Sequence, residues 1–243
     1  CVSPVIGGLI ALFFGPRILM LVSALLFFIA ALPLMNTSEP VRVDQKVNFK
    51  HFPWRIALSS LIAEAATGFD YVTTGVVWGL FVAIVALSGA GDAVYVGIGA
   101  LSSISIVAAI TASYAFGKII DKNKGGCLLK IGVVTNAIVH AFRSFSVTPI
   151  SILGINITNE MATTGYNLAF MRGIFDTADL SGHRIVYLCA TGVASTLGAI
   201  IGCIIVVACI ILFGDINGIK IFFFLAAVAV LAIGSANFNV YRK

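Results

Sequence analysis

Residues 185–213 read IVYLCATGVASTLGAIIGCIIVVACIILF, a stretch without a single Asp, Glu, Lys or Arg. A helix needs about 20 apolar residues to cross a hydrocarbon core of roughly 30 Å, so this stretch is long enough to span a bilayer. Its apolar residues are continuous and lack the alternation that is typical of membrane-barrel strands. Because backbone polar groups in lipid must be satisfied internally, we expect such stretches to form α-helices.

The rest of the chain has the same character. Hydrophobic residues make up 60% of the sequence and charged residues 10%, and the mean hydropathy is +1.08. A soluble domain usually carries about 25% charged residues. The sequence therefore predicts an all-α polytopic membrane protein with about eight transmembrane helices, of which the first is incomplete. The predicted spans are 1–14, 18–35, 56–87, 94–120, 127–145, 150–171, 185–213 and 219–240.

Basic residues outnumber acidic ones, with 15 Lys and Arg against 10 Asp and Glu. If eight spans alternate across the membrane, one side receives all the basic residues except Arg17, Arg143 and Lys220. The positive-inside rule predicts this asymmetry for the cytoplasmic side. We therefore expect a multi-pass protein of the plasma (cytoplasmic) membrane, with a cytoplasmic C-terminus, the lipid bilayer around it and no nucleic-acid partner.

Two of the predicted spans carry polar stripes at helical spacing, with steps of three and four residues. The stripe in span 56–87 consists of Glu64, Thr67, Tyr71, Thr74 and Trp78, and that in span 150–171 of Asn156, Glu160, Thr163 and Asn167. A carboxylate inside a span is costly and normally faces a cavity or the bundle interior. We expect both stripes to line one water-filled cavity, where Glu64 and Glu160 bind a cation or carry a proton. The alternative is that the polar residues hydrogen-bond one another between helices.

Other ionisable residues receive simpler interpretations. Asp70 lies off the first stripe and is expected to face another helix. His140 and Arg143 lie near the end of a short span, where snorkelling to the membrane surface is the expected arrangement. Asp176 and Asp179 fall in a predicted solvated loop, residues 172–184.

Two motifs carry a resemblance to a known family. Between two spans stands Gly117-Lys-Ile-Ile-Asp121-Lys122-Asn-Lys-Gly125-Gly126, and the first span contains Ser3-Pro4-Val-Ile-Gly7-Gly8. The former resembles the G-x-x-x-D-(R/K)-x-G-(R/K) loop signature of the major facilitator superfamily (MFS) of secondary transporters, with one residue inserted and the final basic pair missing. The latter is similar to the end of the family's G-P-x-x-G-G motif.

The layout of the whole chain resembles helices five to twelve of a twelve-helix MFS transporter. The resemblance implies that residues 1–35 are the last two helices of an N-terminal bundle, packed as a separate pair. It also implies that 36–55 is a cytoplasmic linker and 56–243 a C-terminal six-helix bundle. On this view the chain is truncated and lacks N-terminal helices of the same protein, so that it should not transport alone.

The resemblance also gives roles to particular residues. The two polar stripes would belong to the seventh and tenth helices, which line the central cavity in this family. Gly117, Asp121 and Lys122 would form a gating loop; the alternative is a positively charged loop that only fixes the topology. We expect Gly117 to let two helices approach closely and Asp121 to complement a helix N-terminus.

The expected function is secondary active transport of a small solute by alternating access, without a cofactor or metal. We expect a proton gradient to drive it, and the alternative driving force is the solute's own gradient. Motifs of the forms HExxH, GxSxG and GxxxxGK(S/T) are missing from the sequence, so we expect no enzyme. The alternative is a polytopic scaffold or a membrane-embedded enzyme that does not transport.

Overall fold

A computed structural model describes residues 2–35, 49–50, 52–87, 89 and 91–241 of the chain. These residues are helical nearly throughout, and none of them lies in a β-strand. The α-helices are α1 Ser3–Phe14, α2 Pro16–Met35, α3 Trp54–Val72, α4 Trp78–Phe81, α5 Val94–Asp121, α6 Gly125–Arg143, α7 Pro149–Leu180, α8 Arg184–Phe213 and α9 Asp215–Val230.

Helices α3 and α4 belong to one continuous rod, residues 54–86, because the segments that join and follow them are π-helical. These segments are Thr73–Val77 and Val82–Ala86. A π-helical turn holds an extra residue and often marks a functional position. The rod matches the predicted span 56–87.

Within the described residues, six helical segments are long and apolar enough to cross a membrane. They are Pro16–Pro33, Trp54–Val85, Val94–Asp121, Gly125–Arg143, Arg184–Phe213 and Asp215–Ser235. Large apolar side chains cover much of their outer surface; Ile211 of α8, for example, is 76% exposed. Such a surface is compatible with lipid and not with water. The chain is therefore a multi-pass helical membrane protein.

The other two helices differ from these six. Helix α1 is apolar but has only 12 residues. Helix α7 has 32 residues and a more polar composition, and it is absent from the apolar set. It begins where Thr148 accepts a hydrogen bond from the backbone N–H of Ser151, with Pro149 at its first position. Both features favour a helix start.

Helix α7 also corrects a sequence prediction. The segment 172–184 was expected to be a loop, but the helix continues to Leu180, and the chain turns at Gly182, whose φ is +68°. The guanidinium of Arg172 donates a hydrogen bond to the carbonyl of Ile120 at the end of α5, so Arg172 is part of the packed helix. Of the predicted solvated acids, Asp179 forms an exposed ion pair with Arg184 at 2.8 Å.

The last predicted span also has different bounds. Helix α9 begins at Asp215, whose carboxylate suits the positive end of the helix dipole, and it becomes a 3₁₀-helix at Leu231–Ser235. The span therefore starts earlier and ends earlier than residues 219–240.

Residues 54–241 pack as a bundle in which α3 contacts α8, α5 contacts α7, and α6 contacts both α7 and α9. Helices α3 and α8 make the most extensive contact in the bundle. A Cβ on Gly68 would collide with the backbone of Ser195, and one on Gly198 would collide with the backbone of Ala65. Glycine at both positions lets the two backbones touch.

Helix α1 is attached to this bundle through α5. A Cβ on Gly8 would meet the backbone of Tyr95 and Val96, and one on Gly99 would meet that of Pro4. The α1–α2 pair therefore contacts the bundle through α1. Most of the predicted linker 36–55 lies outside the described residues, so the division into domains stays a prediction.

Candidate functional site

A cluster of polar side chains lies in the interior where the α3–α4 rod, α6 and α7 meet. We call it the Asp70 cluster. Its members are Asp70, Thr74, Asn136, His140, Arg143, Asn159 and Tyr166, and all except the half-buried Thr74 are at most 2% exposed. A buried charge is tolerated only when it is paired and hydrogen-bonded. The contacts within the cluster show how this requirement is met.

The carboxylate of Asp70 accepts hydrogen bonds from both neighbouring helices. Its Oδ1 lies 2.7 Å from Nε2 of His140 and accepts a longer bond of 3.3 Å from the Thr74 hydroxyl. Its Oδ2 accepts from Nδ2 of Asn136 at 2.9 Å and from the hydroxyl of Tyr166 at 2.5 Å. Both oxygens are therefore satisfied without any contact with water.

The positive charge of the cluster is Arg143, the last residue of α6. Its Nη1 donates to the Thr74 hydroxyl at 3.2 Å and to Nδ1 of His140 at 2.9 Å, and its Nη2 donates to Oδ1 of Asn159 at 2.8 Å. The guanidinium also lies 5.0 Å from the centre of the Trp78 ring. The third nitrogen of the guanidinium, Nε, has no hydrogen-bond partner among the described residues.

These contacts fix the protonation state of His140. A guanidinium can only donate, so Nδ1 of His140 must accept from Arg143 and carries no proton. The imidazole proton is then on Nε2, which donates to Asp70. The cluster contains one negative group, one neutral imidazole and one positive group in a row. Its net charge is zero, as a low-dielectric interior requires.

Beside the cluster lies a cavity of about 340 Å³, which we call the α5–α7 cavity. Its walls come from the α3–α4 rod, α5, α7 and the end of α6. The polar residues that line it are Thr74, Trp78, Ser102, Ser105, Arg143, Asn156, Asn159 and Glu160. The indole N–H of Trp78 donates to Oδ1 of Asn156 at 2.7 Å and so joins the rod to α7 across the cavity wall. The π-helical segment Thr73–Val77 lies at this wall, where Gly75 leaves open space.

The residues predicted for a shared cavity are distributed over several environments. Glu160 and Asn156 line the α5–α7 cavity. The hydroxyls of Thr67 and Thr163 donate to backbone carbonyls of their own helices, Ala63 and Asn159. Three others, Glu64, Tyr71 and Asn167, do not line this cavity; Tyr71 is 55% exposed and lies beside Glu64 and Asn167.

The interpretation of His140 and Arg143 as snorkelling residues is wrong, because both side chains are completely buried. They point inward because Asp70 supplies a compensating charge. A signal in the sequence could have indicated this: Asn136, His140 and Arg143 recur at steps of four and three, which makes a third polar stripe. Asp70 faces other helices, as its position off the first stripe indicated.

The predicted gating loop lies at the junction of α5 and α6. Gly117 has open space where a Cβ would be, so the expected close approach of two helices is not found there. Asp121 and Lys122 are exposed at the end of α5. The close contact lies further along, where the ring of Tyr241 covers Gly125 and Gly126 and its hydroxyl donates to the carbonyl of Ala169.

Comparisons with protein-family models, with curated proteins and with solved structures find no match for this chain. The described residues contain no group of three or more His, Cys, Asp or Glu side chains arranged to hold a metal ion. A functional conclusion therefore depends on the chemistry of the Asp70 cluster and of the cavity beside it.

Proposed function

We propose that this protein is a secondary active transporter that moves a small solute by alternating access and couples the movement to protons. The observation that carries the proposal is that Arg143 belongs to the Asp70 cluster and also lines the α5–α7 cavity. One side chain thus bonds to the proposed proton-binding pair and forms part of the wall of a space for a solute. Intramembrane ionisable residues that face a cavity are typical of transport pathways.

Coupling follows from the charge of the cluster. The cluster is neutral with Asp70 ionised and His140 uncharged, so a proton bound to either group makes it positive. An uncompensated positive charge in the interior is unfavourable. An anionic group of a solute beside Arg143 offsets that charge. Proton and solute therefore favour each other's binding, which is the thermodynamic requirement for coupled transport.

Arg143 links the bound proton structurally to the cavity. A proton on Nδ1 of His140 is incompatible with the hydrogen bond that this atom accepts from Nη1 of Arg143. Protonation there breaks the bond and frees a guanidinium donor at the cavity wall. The proton thus changes what the cavity presents to a solute, through two groups that lie 2.9 Å apart.

The packing of the bundle supports an internal repeat, which alternating access commonly uses. Exchanging the α3–α4 rod with α7, α5 with α8, and α6 with α9 maps several contacts of the bundle onto one another. The contact of α3 with α8 becomes that of α7 with α5, and α6 with α9 is mapped onto itself. This three-plus-three pattern also supports the MFS resemblance. Eight membrane spans and a cytoplasmic C-terminus are further parts of the proposal, and the distribution of basic residues supports the latter.

The test is solute uptake into proteoliposomes that contain the protein made from its complete gene. A panel of radiolabelled sugars, amino acids, organic anions and organic cations is offered with and without an inward proton gradient. We expect one class to accumulate with the gradient and to lose accumulation with a protonophore. In Asp70→Asn, gradient-driven accumulation should fall at least about tenfold, while the exposed control Asp179→Asn behaves as the wild type. A folded, inserted protein that moves no solute of the panel contradicts the proposal and favours a scaffold or a membrane-embedded enzyme.

A further inference from the structure

The α5–α7 cavity holds one unused positive donor. Arg143 is fully buried and lines the cavity, and its Nε–H has no hydrogen-bond partner among the described residues. Leaving a donor on a buried cation unsatisfied is costly. Because Arg143 has no accessible surface in this conformation, a solute group reaches its guanidinium only after the side chains around it shift. The natural acceptor for a guanidinium edge is an anionic oxygen, such as that of a carboxylate.

The same cavity holds one unused negative group. Glu160 is half-buried and lines the cavity, and its carboxylate has neither a hydrogen bond nor an ion pair within the described part of the chain. The neighbouring residue Asn159 is already committed to Arg143. A carboxylate in this position has free capacity for a cationic donor such as an ammonium group.

Arg143 and Glu160 face the same space without forming an ion pair with each other, since their charged atoms are more than 4 Å apart. Opposite charges in a low-dielectric site attract strongly. Two such groups held apart by their helices are complementary to a molecule that carries both charges. Its anionic end faces Arg143 and its cationic end faces Glu160.

The size of the cavity limits that molecule. A volume of about 340 Å³ is near the lower end of the range of roughly 300–1,000 Å³ that is usual for ligand pockets. Trp78 and Ile106 also line the cavity, so its lining is apolar as well as charged.

We infer that the solute bound in the α5–α7 cavity is a small zwitterion with an ammonium group and an anionic group, as in an amino acid or in the head group of an aminophospholipid. This inference rests on the proposed function and names the substrate class of its site. The cluster and the zwitterion are linked, because the anionic end of the solute is the group that offsets a proton bound at Asp70 or His140.

The test is binding to the purified protein, followed as ligand-dependent thermal stabilisation and by calorimetry. Each of the twenty amino acids is compared with its methyl ester, which lacks the anion, and with its deaminated acid, which lacks the ammonium. We expect at least one amino acid to bind at least about tenfold more tightly than both analogues, because each lost charged contact is worth roughly a factor of ten or more. Phosphoethanolamine, and nanodiscs with and without phosphatidylethanolamine, distinguish a lipid head group from a free solute.

The matched variant is Glu160→Gln, which keeps the shape of the side chain but loses its charge. It should weaken zwitterion binding about 10- to 100-fold and leave binding of the deaminated acid unchanged, while Asp179→Asn has no effect on either. Esters or acids that bind as tightly as the zwitterions overturn the inference, as does normal zwitterion binding by Glu160→Gln or no zwitterion binding at all. Zwitterion binding without any transport overturns the proposed function but keeps the zwitterion site. Transport of a sugar alone keeps the proposed function but overturns the zwitterion site.

Discussion

The hydroxyl of Tyr166 in α7 lies 2.5 Å from Oδ2 of Asp70 in α3, although 96 residues separate them along the chain. Tyr166 is completely buried, so its hydroxyl has no access to water as an alternative partner. We expect Tyr166→Phe to lower the free energy of unfolding by about 1–2 kcal/mol, a range set by hydrogen bonds to charged groups and by interhelical bonds in membranes. The measurement is denaturant unfolding of the purified protein in mixed micelles.

Tyr114→Phe is the matched control for that variant, because the Tyr114 side chain is 72% exposed and lies outside the Asp70 cluster. Its loss of a hydroxyl should change the free energy of unfolding by less than about 0.5 kcal/mol. Equal effects of the two variants would show that the Tyr166 hydroxyl adds nothing to the stability of the cluster.

The charges of Asp70 and Arg143 should prove interdependent. Asp70→Asn leaves Arg143 as an unpaired buried cation, and the expected cost is about 3–5 kcal/mol of unfolding free energy. The double variant Asp70→Asn/Arg143→Gln removes both charges and should recover at least about 1 kcal/mol relative to the worse single variant. Unfolding of the three variants measures the coupling. Simple additivity of the two single effects argues against a charge-compensated cluster.

An exposed ion pair provides the comparison for these measurements on Asp70 and Arg143. Asp179 and Arg184 form an exposed ion pair, and such pairs contribute about 0–1 kcal/mol. Asp179→Asn should therefore change the unfolding free energy by at most that amount.

The contact between α3 and α8 should be intolerant of a single methyl group. A Cβ on Gly198 would collide with the backbone of Ala65, and a backbone cannot move aside as a side chain can. We expect Gly198→Ala to destabilise the protein by about 1–3 kcal/mol, the usual cost of overpacking. Gly192 lies on the same helix with open space around it, so Gly192→Ala should be neutral or stabilising by up to about 1 kcal/mol. Thermal unfolding of both variants is the measurement, and an equal response of the two glycines contradicts the proposed backbone contact.

The distribution of basic residues predicts which side of the membrane each loop faces. In a cysteine-free background, Lys124→Cys lies between α5 and α6, and Asn217→Cys lies at the start of α9, and both positions are exposed. A membrane-impermeant maleimide should label Lys124→Cys only from the cytoplasmic side and Asn217→Cys only from the opposite side. Labelling of both positions from one side, in sealed vesicles of known orientation, would refute the alternating topology.

The sequence predicts the helices better than it predicts their contacts. The run 185–213 has no charged residue, and its helix differs from the predicted span by a single residue at the start. The end of α7 was missed because Asp176 and Asp179 look like loop residues when the packing of Arg172 against α5 is unknown. Composition shows whether a segment is apolar, but only the fold shows which groups surround a charged residue.

The Asp70 cluster shows the same limit at the level of the site. Asp70, His140 and Arg143 were visible as ionisable positions inside spans, but the bonds that join the α3–α4 rod to α6 and α7 in this cluster link positions 66 to 96 apart in sequence. Periodicity along one helix predicts that Glu160 faces the interior of the bundle. It cannot predict that Asp70 of one helix lies near Arg143 of another. The one local signal, the stripe of Asn136, His140 and Arg143, was weakened by the position of Arg143 at a helix end.

The pairing of Asp70 with α6 has a consequence for biogenesis. His140 follows Asp70 by 70 residues, so a ribosome that adds about 5–20 residues per second makes the partner roughly 4–14 s after the carboxylate. A charged residue at the centre of an inserting helix costs about 2.5–3.5 kcal/mol. During that interval α3 has a carboxylate and no partner for it in α6. Nascent α3 must therefore stay beside the translocon, or insert with Asp70 protonated, until α6 leaves the ribosome.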